Sequence, residues 1–194
     1  MKITWKHERT DFPPDLSLDQ KIEIFFEETW GWQLRVADLI ANGGEPIGGG
    51  PELAKVEHSG FAVLQICLSY FETIGQCVTV GPSEACFKAG VRAVFPSLAS
   101  TDAKVVDGLL KQLYVDGRCG LYHSSRARRG VVLGQPPGAS SMAYDPVGHV
   151  LVISPERLPK VLIGHLEAYR KQLSDSHNVV ARAGFERWFD KEAG

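Results

Sequence analysis

The sequence predicts a mainly α-helical fold, an up-and-down helical bundle with a small β-hairpin or ribbon inserted late in the chain. Three observations predict it. Apolar residues recur at helical spacing over several long stretches, Gly and Pro clusters punctuate those stretches, and a run of short strand-like segments interrupts them after residue 130. At 194 residues the chain is most simply one domain, able to bury about 70% of its unfolded surface without disulfide or metal staples. That domain is taken to span residues 1–194, with a helical core over about 18–189 and the β insertion at about 130–153.

After Pro13-Pro14, Ser17 or Asp19 is placed to cap a first helix whose apolar positions include Ile22, Phe25, Phe26, Trp30, Leu34, Ala37 and Ile40. Asn42-Gly43-Gly44 ends it, and Gly48-Gly-Gly-Pro51 completes a loop. A second, long helix is expected from about Glu52 to Thr79, with Phe61, Leu64, Leu68, Phe71, Ile74 and Gly75 on its buried face. Gly81-Pro82 breaks the chain, Ser83 and Glu84 start a shorter helix to about Phe95, and Pro96 closes it. Thr101 or Asp102 caps a fourth helix whose core stripe is Val106, Leu109, Leu110 and Leu113. Val131-Val-Leu133, Met142-Ala-Tyr144 and His149-Val-Leu-Val-Ile153 read as short strands separated by turns. Helix returns near Pro155 or Glu156, running through Leu162, Leu166, Tyr169 and Leu173, and a last segment from about Asn178 carries Phe185, Trp188 and Phe189.

Composition narrows the function classes. With 21 basic and 23 acidic residues the net charge is −2, so no global field draws the chain to nucleic acid and any RNA contact must be local. Cys67, Cys77, Cys86 and Cys119 contain no C-x-x-C pair and no histidine at zinc-ligand spacing, so no metal site and no cofactor is expected. Three of them fall in helical patterns, where a free thiol acts as a small hydrophobe, and a reducing cytoplasm fits best. The N-terminus lacks the apolar run of a signal peptide. Gly60 to Val80 is the most membrane-like stretch, but Gln65, Glu72 and Gln76 interrupt it and Lys55-Val-Glu-His58 precedes it; a buried core helix is expected, with no membrane span. Gly48-Gly-Gly lacks the Gly-Lys-Ser/Thr ending of a phosphate-binding loop.

The segment Tyr114-Val-Asp-Gly-Arg118-Cys-Gly-Leu-Tyr-His123 carries the chemistry. Arginine stays cationic and offers a planar fork to anionic oxygens, while histidine titrates near neutrality. Together they suit a phosphodiester and its protons without a metal. On an ideal helix Arg118 lies roughly 120° to one side of the core stripe and His123 roughly 100° to the other, so neither reads as a core group. The two are then about 140° apart, and one straight helix does not aim both at one small substrate. Gly117 and Gly120 weaken the helix by about 1 kcal/mol each relative to alanine. They suggest local unwinding, or close approach of a second copy of the helix.

With Arg118-Cys-Gly-Leu-Tyr-His123 late in a helix, two long helices before it and a small β element after it, the chain resembles the HEPN superfamily, in particular its uncharacterised bacterial branch, over roughly residues 18–189. The hallmark of that superfamily is Arg, four to six residues, then His. The resemblance implies a metal-independent endoribonuclease acting as a homodimer with both motifs at one cleft, of the kind found in toxin–antitoxin and phage-defence systems, where a neutralising partner protein is common. It implies that Arg118 holds the scissile phosphate and His123 acts as general base or acid, leaving a 2′,3′-cyclic phosphate. It equally implies an alternative, since some members are catalytically inactive nucleotide-binding, RNA-binding or protein-interaction domains. Cys119 departs from the polar residue that active members often carry after the arginine, and a thiol is a weak donor and acceptor. No tyrosine stands two residues after the histidine, where some toxin members are modified; Ser125 is there.

Neighbouring residues complete the candidate site. Ser124-Ser-Arg126-Ala-Arg128-Arg129 is the densest basic cluster and either contacts phosphates along an RNA strand or forms a solvated loop. Tyr122, four residues after Arg118, stacks on a base or on the guanidinium, or packs in a core or interface. Asp116 lies two helical turns before His123 and reads chiefly as a surface carboxylate, with an orienting role as the alternative. His58 and His165 read as partly exposed helix residues, and His149 as a structural residue at a strand start.

Overall fold

The computed structural model describes residues 2–193 and is mainly helical, with one small three-stranded sheet. Ser17 caps the first helix through a reciprocal capping box: its side chain accepts from the Gln20 N–H, and the Gln20 side chain accepts from the Ser17 N–H. The rod then runs as α1 (Leu18–Glu28), a π-helical segment (Thr29–Leu34) and α2 (Arg35–Asn42), with helical backbone at every junction. Gly43 and Gly44 end it in left-handed conformations, at φ 72° and 117°.

Helix α3 (Gly60–Val78) is the centre of the fold. It is long and apolar enough to cross a membrane, with mean hydropathy 1.3 over its best window, yet Val63, Leu64, Cys67, Leu68, Tyr70, Phe71, Ile74, Gly75 and Cys77 are buried against the rest of the chain. The helix begins at Gly60 and not near Glu52. Leu53 pairs its backbone in both directions with Gly44, the Val56 N–H donates to the Ile40 carbonyl, and His58 sits at φ 60°. These contacts hold residues 52–59 as a loop, so His58 lies in a turn and not on a helix.

Helix α4 (Ser83–Val94) crosses α3 at backbone contact. A Cβ at Gly75 would collide with the Cys86 carbonyl, and one at Gly90 with the Phe71 carbonyl. Only glycine permits this approach. A 3₁₀ turn (Pro96–Ser100) comes next, and Asp102 caps α5 (Ala103–Gln112) by accepting from the Lys104 and Val105 N–H groups at 3.0 and 3.1 Å. This rod also continues through a π segment (Leu113–Cys119) into α6 (Gly120–Ser124), and it ends at Ser125 in the left-handed region.

The sheet has the order β1-β3-β2. The hairpin expected from sequence is present as β2 (Met142–Asp145) antiparallel to β3 (Val150–Ile153), and β1 (Val131–Leu133) adds to the other side of β3 in parallel. Gln112 ties the sheet to the helical rod, donating to the carbonyls of Gly130 at 2.7 Å and His149 at 3.1 Å. Helix α7 starts slightly later than expected, at Leu158 (Leu158–Ser174), because the Ser154 hydroxyl accepts from the Arg157 N–H and holds the intervening residues as a turn. Helix α8 (Val179–Ala193) closes the bundle with Phe185 and Trp188 packed on Phe25 and Phe189 packed on both of them.

Candidate functional site around Arg118 and His123

Arg118 is the next-to-last residue of the second π segment, and its position is fixed from three sides. Its Nη2 and Nε atoms lie 2.8 and 3.0 Å from a single Glu72 oxygen on α3. The guanidinium carbon lies 4.5 Å from the centroid of the Tyr122 ring and 5.9 Å from that of Tyr114. Tyr114 is in turn anchored by a 2.9 Å hydrogen bond to Ser83 at the start of α4. Only about a fifth of the Arg118 side chain is exposed, and less of Glu72. Burial opposes the charge, but the Glu72 carboxylate outweighs it and raises the guanidinium pKa, so the cation is secure.

Arg118 therefore departs from the sequence-based expectation that neither motif residue is satisfied by burial. It is largely buried and has an internal counter-ion. The ideal-helix angles fail here because the π segment carries an extra residue in its turn and rotates the residues beyond it. His123 keeps its expected place: it is exposed near the end of α6 and, among the described residues, forms no side-chain hydrogen bond or ion pair.

The other candidates divide. Ser124, Arg126, Arg128 and Arg129 are exposed, directly beyond His123. The loop that carries them folds back over the rod, with the Arg128 N–H donating to the Asp116 carbonyl at 2.8 Å. Asp116 is half-buried beneath this loop, its carboxylate against Gly130; it is a support for the basic loop. Cys119 is a half-buried free thiol, while the other three cysteines are buried in helices. Tyr122 is half-exposed and stacks on Arg118, one of the two partners expected for it.

The two motif glycines are occupied within the chain. Gly117 is buried with Leu68 and Leu113 at contact distance from where a Cβ would stand, and Gly120 faces the Arg126 carbonyl and Arg128. Close approach of a second helix at these positions is therefore replaced by packing of the chain on itself. His165 shares a 2.8 Å hydrogen bond with Tyr70 in the core, and burial lowers its pKa. His149 is a turn residue at φ 53° bonded to Tyr144, immediately before β3.

Sequence reasoning missed Glu72, which counted only as an interruption of an apolar run. The signal was there: a carboxylate on an otherwise apolar helix requires a cationic partner once buried. It also passed over Trp32 and Gln33, and counted Gln65, like Glu72, only as an interruption of the apolar run. With Ala62, Ile66, Ser69 and Tyr122, Trp32, Gln33 and Gln65 line a surface groove of about 350 Å³ between the first rod and α3. In comparisons with known proteins, no family model, no curated protein and no solved structure matches this chain.

Proposed function

We propose that the protein is a HEPN-type, metal-independent endoribonuclease acting through Arg118 and His123, as a cytoplasmic homodimer. The observation that carries this reading is the division of labour at the end of the second rod. A permanently charged, positionally fixed guanidinium is followed five residues later by a solvent-facing imidazole with no side-chain partner among the described residues, and then by three exposed arginines. Fixed cation, free proton carrier and basic track are what cleavage of an RNA strand needs.

In this mechanism His123 takes the proton from the ribose 2′-hydroxyl, and the 2′-oxygen attacks the adjacent phosphorus. The bond to the 5′-oxygen breaks, the leaving oxygen receives a proton from an imidazolium, and the products are a 2′,3′-cyclic phosphate and a 5′-hydroxyl. Such proton transfer contributes typically about 10² to 10⁴ in rate. Arg118 faces the phosphoryl oxygens as charge grows on them, a role worth about 10² to 10³ for single donors elsewhere. Arg126, Arg128 and Arg129 contact flanking phosphates. The subunit contact uses a face other than the one at Gly117 and Gly120, because those positions are filled internally.

A second reading, a catalytically inactive nucleotide-binding, RNA-binding or protein-interaction dimer, is favoured by the Glu72 contact, which engages Arg118 before any phosphate arrives. Incubation with mixed cellular RNA in excess EDTA separates the two. Cleavage by the wild type that Arg118→Ala and His123→Ala both abolish supports the nuclease. RNA binding without cleavage supports the second reading.

A further inference from the structure

The groove beside Tyr122 has three properties that the phosphate chemistry above leaves unused. It is lined by two exposed aromatic side chains, Trp32 and Tyr122, each 47% accessible. Large aromatic rings are normally mostly buried, so two such rings lining one concavity form a stacking surface. It also carries the exposed side-chain amides of Gln33 and Gln65, which form no side-chain hydrogen bond among the described residues. Each amide offers two donors and an acceptor. At about 350 Å³ the groove sits at the small end of the range that binds compact planar ligands.

The third property is local backbone geometry. π-Helical turns make up well under 1% of residues in folded proteins and recur at functional sites. Among the described residues there are two: one supplies part of the groove lining, and the other supplies Arg118, which contacts Tyr122 of that lining. Trp32 and Gln33 belong to the first, Thr29–Leu34, and Arg118 belongs to the second, Leu113–Cys119. Tyr122 joins them, since it lines the groove and its ring also packs on Arg118 of the proposed phosphate site.

We infer that this groove is a slot for one unpaired base of single-stranded RNA, stacked against Trp32 and Tyr122 and read at its edge by Gln33 and Gln65. The inference rests on the reading of the Arg118 surface as an RNA site and names what that site recognises. A duplex cannot present a base in this way, because its bases are stacked on each other and paired. The slot therefore selects single-stranded over double-stranded substrate, and Arg118 lies beside the phosphate of the captured nucleotide.

The test measures fluorescence anisotropy of a short fluorescein-labelled single-stranded RNA with full-length protein in a His123→Ala background, so that no probe is cut. Trp32→Ala is expected to weaken binding between about fivefold and a hundredfold, the range seen for loss of one base stack, with the salt dependence unchanged because no phosphate contact is removed. Trp32→Phe is expected to retain most of the affinity, and Gln65→Ala to change the preference among homopolymeric probes. Unchanged affinity in Trp32→Ala with a native circular dichroism spectrum overturns the proposal, as does absence of binding by the parent protein. A shift of Trp32→Ala from dimer to monomer with RNA binding intact also overturns it, since the groove is then a subunit contact. Failure of the nuclease reading is distinct: Trp32-dependent binding with no cleavage by the wild type leaves the slot standing and removes the catalysis.

Discussion

The ion pair between Arg118 and Glu72 is the contact on which the site's geometry turns, and a double-mutant cycle measures it. The perturbations are Glu72→Gln, Arg118→Met and their combination. Both side chains are about four-fifths buried, at 20% and 16% exposure, and the guanidinium reaches one carboxylate oxygen twice, at 2.8 and 3.0 Å. Exposed pairs couple by about 0.2–1 kcal/mol, while breaking a fully buried pair costs about 3–5 kcal/mol. This pair lies between, so the coupling energy is expected at about 1–2 kcal/mol. Each single substitution strands a partly buried charge or amide and is expected to destabilise by more than the double mutant's additive share. Urea unfolding monitored by tryptophan fluorescence supplies the four free energies. Additive effects, with coupling below about 0.3 kcal/mol, refute the claim that Glu72 fixes Arg118.

Burial pushes the Glu28 carboxyl up to about 7 from an ordinary 4.5. The folded state therefore holds the proton more tightly than the unfolded one, so the penalty is absent below about pH 4.5, grows as pH rises toward 7, and is complete above that. At about 1.36 kcal/mol per pKa unit the full penalty is about 3 kcal/mol, and solvent screening at this half-buried position leaves about 1–2 kcal/mol. Glu28→Gln is expected to stabilise by that amount at pH 8 and to be neutral at pH 4; equal effects at both pH values contradict this. Gly90→Ala forces a methyl into the Phe71 carbonyl and is expected to cost about 2–3 kcal/mol, lowering the melting temperature by about 4–12 °C for a chain of this size; a drop under about 2 °C means that α3 and α4 do not cross at glycine contact. Asp102→Ala removes the cap of α5 and is expected to cost about 1 kcal/mol, read by denaturant titration, with no measurable loss contradicting the cap.

Local signals in the sequence located most elements. Ser17 and Asp102 supply cap oxygens, Gly43 and Gly44 supply left-handed termination, and the three strand-like runs lie within a residue of the observed strands. The features that eluded reading are non-local or have no propensity of their own. Residues Glu52–Lys55 include good helix formers, and they stay extended because Leu53 pairs with Gly44. A π turn shifts phase by one residue without a distinctive composition, so both rods read as plain helices. The parallel pairing of β1 with β3 depends on a crossover by way of β2, which periodicity does not specify. At the candidate site, Arg118 and His123 stood out in the sequence by residue type and spacing alone, before any geometry. Glu72 is 46 positions away from Arg118, and Trp32 belongs to another rod altogether; only the packing of α3 brings them to the motif.

If His123 moves the proton of a phosphodiester cleavage, the end groups of the product reveal it most directly. A defined single-stranded RNA is incubated with wild-type protein and with His123→Ala in excess EDTA, the fold of both is verified by circular dichroism, and the fragments are characterised by phosphorus NMR. The expected result is a 2′,3′-cyclic phosphate with the wild type and a rate at least about 10² lower with His123→Ala, at unchanged stability because the side chain is exposed. Cleavage at the same rate by the variant, or fragments ending in a 5′-phosphate, contradicts the assignment of His123 as the proton carrier.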